Sequence, residues 1–306
     1  MNPLHGIFFK VASVAVFVAM ASLIKASAGE GVPPGQAVFF RSFFAIPVIV
    51  VWLSMTGHLH DGLKTAQPMS HVWRGLVGTC AMGLGFAGLG LLPLPEVTAI
   101  GYAAPLLVVV LAAMFLGEQV RIYRLSAVAL GLVGVLIVLS PRMTVLETAD
   151  VRETLGAILV LGSALFAALA QVFVRKLVQQ ETTAAIVFYF SVSATCLSLL
   201  TLPYGWVMPS GSVLAMLVAA GLLGGVGQIL LTSAYRFADV SVIAPFEYAS
   251  MLLAIGSGYF VFGEVPTLTT LAGALLIILA GVIIIFRERQ LGLEREKQRK
   301  AMTPGG

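Results

Sequence analysis

Charge is scarce in this chain. Only 10% of its 306 residues are Asp, Glu, Lys or Arg, against about 25% in soluble globular proteins. So few charges cannot clothe a surface that faces water on every side, which excludes an ordinary soluble enzyme and a disordered tail protein. Cysteine is nearly missing: Cys80 and Cys196 both lie within apolar runs, which gives neither a disulfide framework nor a metal knuckle. The sequence contains no G-x-x-x-x-G-K-[ST] run, so no P-loop hydrolyses ATP, and no H-E-x-x-H helix or intramembrane Ser/His pair suggests a protease. His58, His60 and Asp61 form a short polar cluster, but without a fourth ligand they make a poor metal site. No metal and no cofactor are expected.

What is abundant is apolar sequence. Hydrophobic residues make up 59% of the chain, and 32 glycines join them. With about 20 apolar residues needed per helical crossing, this is material for eight or more spans. The runs are continuous rather than alternating, which excludes an outer-membrane barrel. Breaks at charges and turn residues predict ten helices, over 6–28, 37–55, 72–92, 96–116, 123–140, 155–174, 184–202, 214–236, 240–262 and 267–286. Ala26-Ser27-Ala28 could be read as a signal-peptide cleavage site. The recurrence of the same segment in mid-chain favours a helix.

Basic residues set the expected orientation. Placing the N-terminus in the cytoplasm puts fourteen of the eighteen Lys and Arg on the inner side, among them Lys10, Lys64, Arg74, Arg175 and the tail after 286. Both termini are therefore expected to be cytoplasmic, in a multi-pass protein of the cell inner membrane. The alternating charges of the tail, 287–306, predict a solvated extension with some attraction to anionic lipid.

The chain also resembles itself. A shift of 150 aligns Gly6, Ser13 and Lys25 with Gly156, Ser163 and Arg175. A shift of 146 aligns Gly75, Gly78, Tyr102, Ala103 and Gly117-Glu118 with Gly221, Gly224, Tyr248, Ala249 and Gly263-Glu264, and a shift of 147 aligns Gly134-Val135 with Gly281-Val282. The fold class predicted is an all-α membrane protein of two five-helix repeats, 6–140 and 155–286, joined by a linker, 141–154. An odd number of spans per copy inverts the second copy relative to the first, as in many secondary transporters.

Two motif sets carry a family resemblance. The first half holds Ala103-Ala104-Pro105-Leu106 followed by Phe115-Leu116-Gly117-Glu118. The second holds Ala244-Pro245-Phe246-Glu247-Tyr248 followed by Phe262-Gly263-Glu264-Val265-Pro266. With the two halves, these resemble the EamA-domain branch of the drug/metabolite transporter superfamily over nearly all of 6–286. The resemblance implies a central cavity that binds a small organic solute, with no enzymatic activity. Overall likeness and the aromatic residues point within the family to riboflavin importers, with amino-acid or S-adenosylmethionine carriers as the alternative. A channel or membrane scaffold is a further reading.

Candidate site residues follow from the cost of polarity at membrane depth. Glu247, just after Pro245, is expected to face a cavity or a cationic partner, binding solute or exchanging a proton; the alternative is a structural hydrogen bond. Arg41, among Phe39, Phe40, Phe43 and Phe44, either contacts an anionic or carbonyl group of the solute or snorkels to the interface. Gln171, Gln228, Tyr102, Tyr189 and Tyr248 supply uncharged hydrogen bonds and flat surfaces for an aromatic metabolite, or else pack helices together. Glu118 and Glu264 close the two fourth helices, as structural pins or gates, and Lys25 reads as an interfacial anchor. Pro47, Pro105 and Pro245 are expected to kink their spans. The expected partners are the solute and the lipid bilayer, with no nucleic acid, in a monomer or homodimer.

Overall fold

The computed structural model describes residues 3–57, 62–116, 122–143, 151–177, 180–237 and 244–302. The chain is a multi-pass membrane protein, and the described residues form helices joined by short connectors, with no strand among them. In chain order the helices are α1 (Pro3–Gly29), α2 (Pro34–Phe43), α3 (Ala45–Met55), α4 (Pro68–Leu89), α5 (Leu94–Gly101), α6 (Ala103–Leu116), α7 (Ile122–Met143), α8 (Val151–Leu177), α9 (Thr183–Leu199) and α10 (Gly211–Phe237). A 3₁₀ turn over Ala244–Tyr248 then leads into α11 (Ala249–Phe262) and α12 (Leu268–Met302).

Seven described segments are long and apolar enough to cross a membrane, and three shorter apolar helices lie at Leu125–Ser140, Ala184–Leu199 and Phe246–Phe262. Large apolar side chains such as Phe8, Val51, Ile158, Leu275 and Ile283 point outward, as a lipid-facing belt requires.

Three spans expected to be continuous are broken, each near a proline. The 37–55 segment divides at Phe44 into α2 and α3, because Pro47 has no N–H to donate to the carbonyl of Phe43. The 96–116 segment divides at Tyr102 into α5 and α6, for the same reason at Pro105. The ninth segment enters through the tighter 3₁₀ turn containing Pro245. Glu247 therefore lies in that turn rather than in an α-helix. The charged stretch after 286 continues α12 to Met302.

Packing interleaves the halves. Helix α1 lies along α10, α4 along α8, and α7 along α12. Small residues set these distances. Ser163 of α8 donates to the Ala81 carbonyl of α4 at 2.7 Å, beside Gly85, where a Cβ would stand 2.9 Å from the same hydroxyl. Gly134 of α7 and Gly273 of α12 face one another: a Cβ on the first would stand 2.8 Å from the other's carbonyl, and on the second 2.6 Å. Both main cores draw on both halves. One gathers Ile100, Tyr102, Leu106, Val135, Val160 and Ile277. The other gathers Met20, Ile24, Phe86, Phe190, Leu217 and Ala254.

Candidate functional site

Three groups of charged side chains stand out within the bundle among the described residues. Near the start of α1, Lys10 is buried and its ammonium pairs with the carboxylate of Glu247, whose side chain stays 47% exposed. Glu247 has the cationic partner its cost at depth demands. Lys10, counted in the sequence as an inner flanking residue, is instead interior. One residue on, Tyr248 meets Tyr102 edge to face, ring centroids 5.1 Å apart. The Tyr102 hydroxyl shares a 2.6 Å hydrogen bond with Ser250, so two repeat partners touch at the junction of the halves. Gly281 leaves the space that the Tyr248 hydroxyl occupies.

At the far end of α1, Lys25 pairs with Glu264 at 2.9 Å. Its ammonium also donates to the carbonyls of Leu89, at 3.2 Å, and Leu92, at 2.5 Å. The other Glu264 oxygen accepts the Leu94 N–H at 2.8 Å. The cation thus sits on the last carbonyl of α4 and on one in the connector that follows, and the anion on a free N–H at the start of α5. Gly263, at φ +65°, caps α11 in the left-handed conformation and turns Glu264 toward that neighbour. Lys25, distant in sequence, supplies the partner that no basic residue close to Glu264 provides. Glu118 lies outside the described residues.

The third place is the seam where α2, α4 and α9 meet. Arg41 is 4% exposed. Arg74 starts six residues into α4, about 9 Å along its axis, and its Nε and Nη1 are buried. Their Cζ atoms lie 5.8 and 4.1 Å from the centre of the Phe190 ring, which places them no more than about 10 Å apart. Nε and Nη1 of both arginines are buried without a hydrogen-bond acceptor, and no carboxylate pairs with either among the described residues. Two like charges at that distance repel by about 2 kcal/mol at an effective dielectric of 20. Phe190 offsets some of this through its ring face. Ser42 and Ser191, on the same seam, also have buried hydroxyls without partners among the described residues. Arg74 was a flanking charge in the sequence reading. The signal that would have moved it inward is Pro68 at the first helical position, which starts the span at 68 rather than 72. The same three helices border an apolar crevice of about 390 Å³, lined by Pro34, Val38, Leu76, Thr79 and Leu197, which has no charged group of its own.

The remaining candidates are dispersed. Tyr189 donates to the Leu63 carbonyl at 2.9 Å and lies tilted against the His71 ring, centroids 4.9 Å apart. Gln228 is half-buried on α10, and Gln171 is exposed on α8. His58, His60 and Asp61 lie outside the described residues. Sequence reading missed Glu181, in the connector before α9. It accepts hydrogen bonds from Thr65 Oγ1 at 2.8 Å and from the N–H groups of Ala66 at 2.8 Å and Gln67 at 3.0 Å. His71 Nε2 is 3.7 Å from its other oxygen. Burial pushes the Glu181 carboxyl up, but these donors and the neighbouring histidine outweigh it and hold it below the usual carboxylate range.

Known proteins give this geometry a family. The model of the EamA-like transporter family matches residues 4–140 and again 154–287. The chain belongs to the EamA-like transporter family. It is 30% identical over 256 residues to an S-adenosylmethionine uptake transporter of Rickettsia felis, covering 83% of this chain and 84% of that one. It is 29% identical over 282 residues to a pseudopaline exporter of Pseudomonas aeruginosa, covering 91% and 95%. A riboflavin transporter of Vibrio cholerae is 28% identical over 286 residues, covering 92% and 93%. A solved crystal structure shares the fold at TM-score 0.67 and 21% identity, covering 94% of this chain and 98% of that one. The protein is a membrane transporter of this family and not an enzyme.

Proposed function

We propose that the chain is a secondary transporter carrying a small organic metabolite across the inner membrane by alternating access. In this reading ten spans form two inverted five-helix repeats, with both termini cytoplasmic. The supporting observation is that the packing maps onto itself when the halves are exchanged. Exchange turns α1 into α8 and α4 into α10, so the α1–α10 contact becomes the α8–α4 contact; α7–α12 becomes itself. A molecule built this way has two related arrangements of similar energy, one open to each side.

The two ion pairs joining α1 to the ninth span then act at opposite faces. Lys25–Glu264 closes the outer end, and Lys10–Glu247 holds the inner end. Movement of α1 against the ninth span, parting one pair while the other holds, exchanges one closure for the other. Glu247, half-exposed beside Lys10, is the group placed to bind a polar part of the solute or to exchange a proton. Riboflavin and S-adenosylmethionine, named for relatives, are the first solutes to test. Purified protein in lipid vesicles is expected to take up one labelled solute saturably, with competition by the unlabelled compound. Uptake linear in concentration and indifferent to competitors would replace the carrier with a channel.

A further inference from the structure

We propose that Arg41 and Arg74 form an oxyanion subsite, so that the transported solute carries a carboxylate or phosphate group. This rests on the transporter reading and names the chemistry of its cargo. Two guanidiniums inside a membrane protein, each with Nε and Nη1 buried and unaccepted among the described residues, leave strong donors unused, and such donors normally find an acceptor. Arginine keeps its proton, so loss of charge is not its escape. The Nε–Nη edge is a two-pronged fork that matches the two oxygens of a carboxylate or phosphate.

The setting is built for this pair. Repeat-related glycines make the room on each side. A Cβ at Gly224 would stand 3.1 Å from Arg41 Nε, and a Cβ at Gly78 would collide with Arg74 Nη1 and lie 2.8 Å from Phe190 Cε2. Phe190 lies against both cations and offers an apolar wall beside the anion. Arg41 descends on α2 from one face and Arg74 rises on α4 from the other, each about 10 Å from its helix start. Their forks therefore both reach the interior beside Phe190, between the two faces, where a carrier must hold its solute in both states.

The test is binding to the purified protein, which separates this proposal from the carrier reading. Thermal stabilisation in detergent is measured with pairs differing in the oxyanion: riboflavin against riboflavin 5′-phosphate, S-adenosylmethionine against its decarboxylated form, and inorganic phosphate alone. In at least one pair the oxyanion-bearing member is expected to bind on the order of tenfold tighter. Arg41→Met and Arg74→Met are each expected to remove that advantage while leaving affinity for the member without the oxyanion unchanged. In wild-type protein, the oxyanion ligand is expected to protect both arginines from phenylglyoxal, read by mass spectrometry. This last measurement serves if the variants fail to fold. Equal affinity within every pair, or labelling of Arg41 and Arg74 that no oxyanion slows, overturns the proposal. Saturable binding without uptake would instead count against the carrier reading and leave the subsite standing.

Discussion

At the level of single residues, a charge inside this bundle is defined by what it meets. Glu247 meets Lys10, Glu264 meets Lys25, and the two arginines meet a phenylalanine and, among the described residues, no carboxylate. Glu247→Gln keeps the shape of the side chain but removes its charge. It is expected to lower uptake on the order of tenfold, a barrier change of about 1.4 kcal/mol, while the protein still reaches the membrane at normal abundance. Normal uptake would return Glu247 to a structural role. Glu181 is the residue with a calculable pH response. Its folded carboxyl titrates below the ordinary carboxylate value, so its contribution to stability is complete above the unfolded value and is lost as pH falls through the folded one. Melting temperature is expected to hold from neutral pH to near 5 and then decline more steeply than in Glu181→Ala. At neutral pH that variant should be destabilised by about 2–3 kcal/mol through loss of hydrogen bonds to a charged acceptor. Parallel decline of both proteins would remove Glu181 from the acid response.

Among the elements, small residues and prolines decide shape. Gly134 and Gly273 bring α7 and α12 into backbone contact, so any side chain at either must push the pair apart. Gly134→Leu is expected to cost about 1–3 kcal/mol in a chemical melt and to lower uptake with it; an unchanged melt would mean that the helices already separate freely. The sequence showed the helices clearly, because continuous apolar runs leave little else for a buried backbone to do. Proline positions told where kinks would come. Hydropathy did not show that Phe44 and Tyr102 would end one helix and begin another, since a broken apolar run and a straight one have the same composition. Nor did it place Lys10 and Arg74: a basic residue near a span end reads as a flank until the neighbouring helix is known. Lys25–Glu264 was illegible for a related reason, its partners standing far apart in the chain and meeting only through packing.

For the molecule as a whole, the repeat in the sequence has a counterpart in how the helices associate. Tyr102 touches Tyr248, its own partner. Gly78 and Gly224, also partners, each adjoin one arginine. The α7–α12 seam is its own image, joined by glycines and continuous with the core that holds Ile277 and Val135. A contact that looks the same from either half has nothing to gain by changing when those halves trade roles. In the alternating-access cycle proposed above it would be the fulcrum, and the remaining helices the lever arms that it leaves free to tilt.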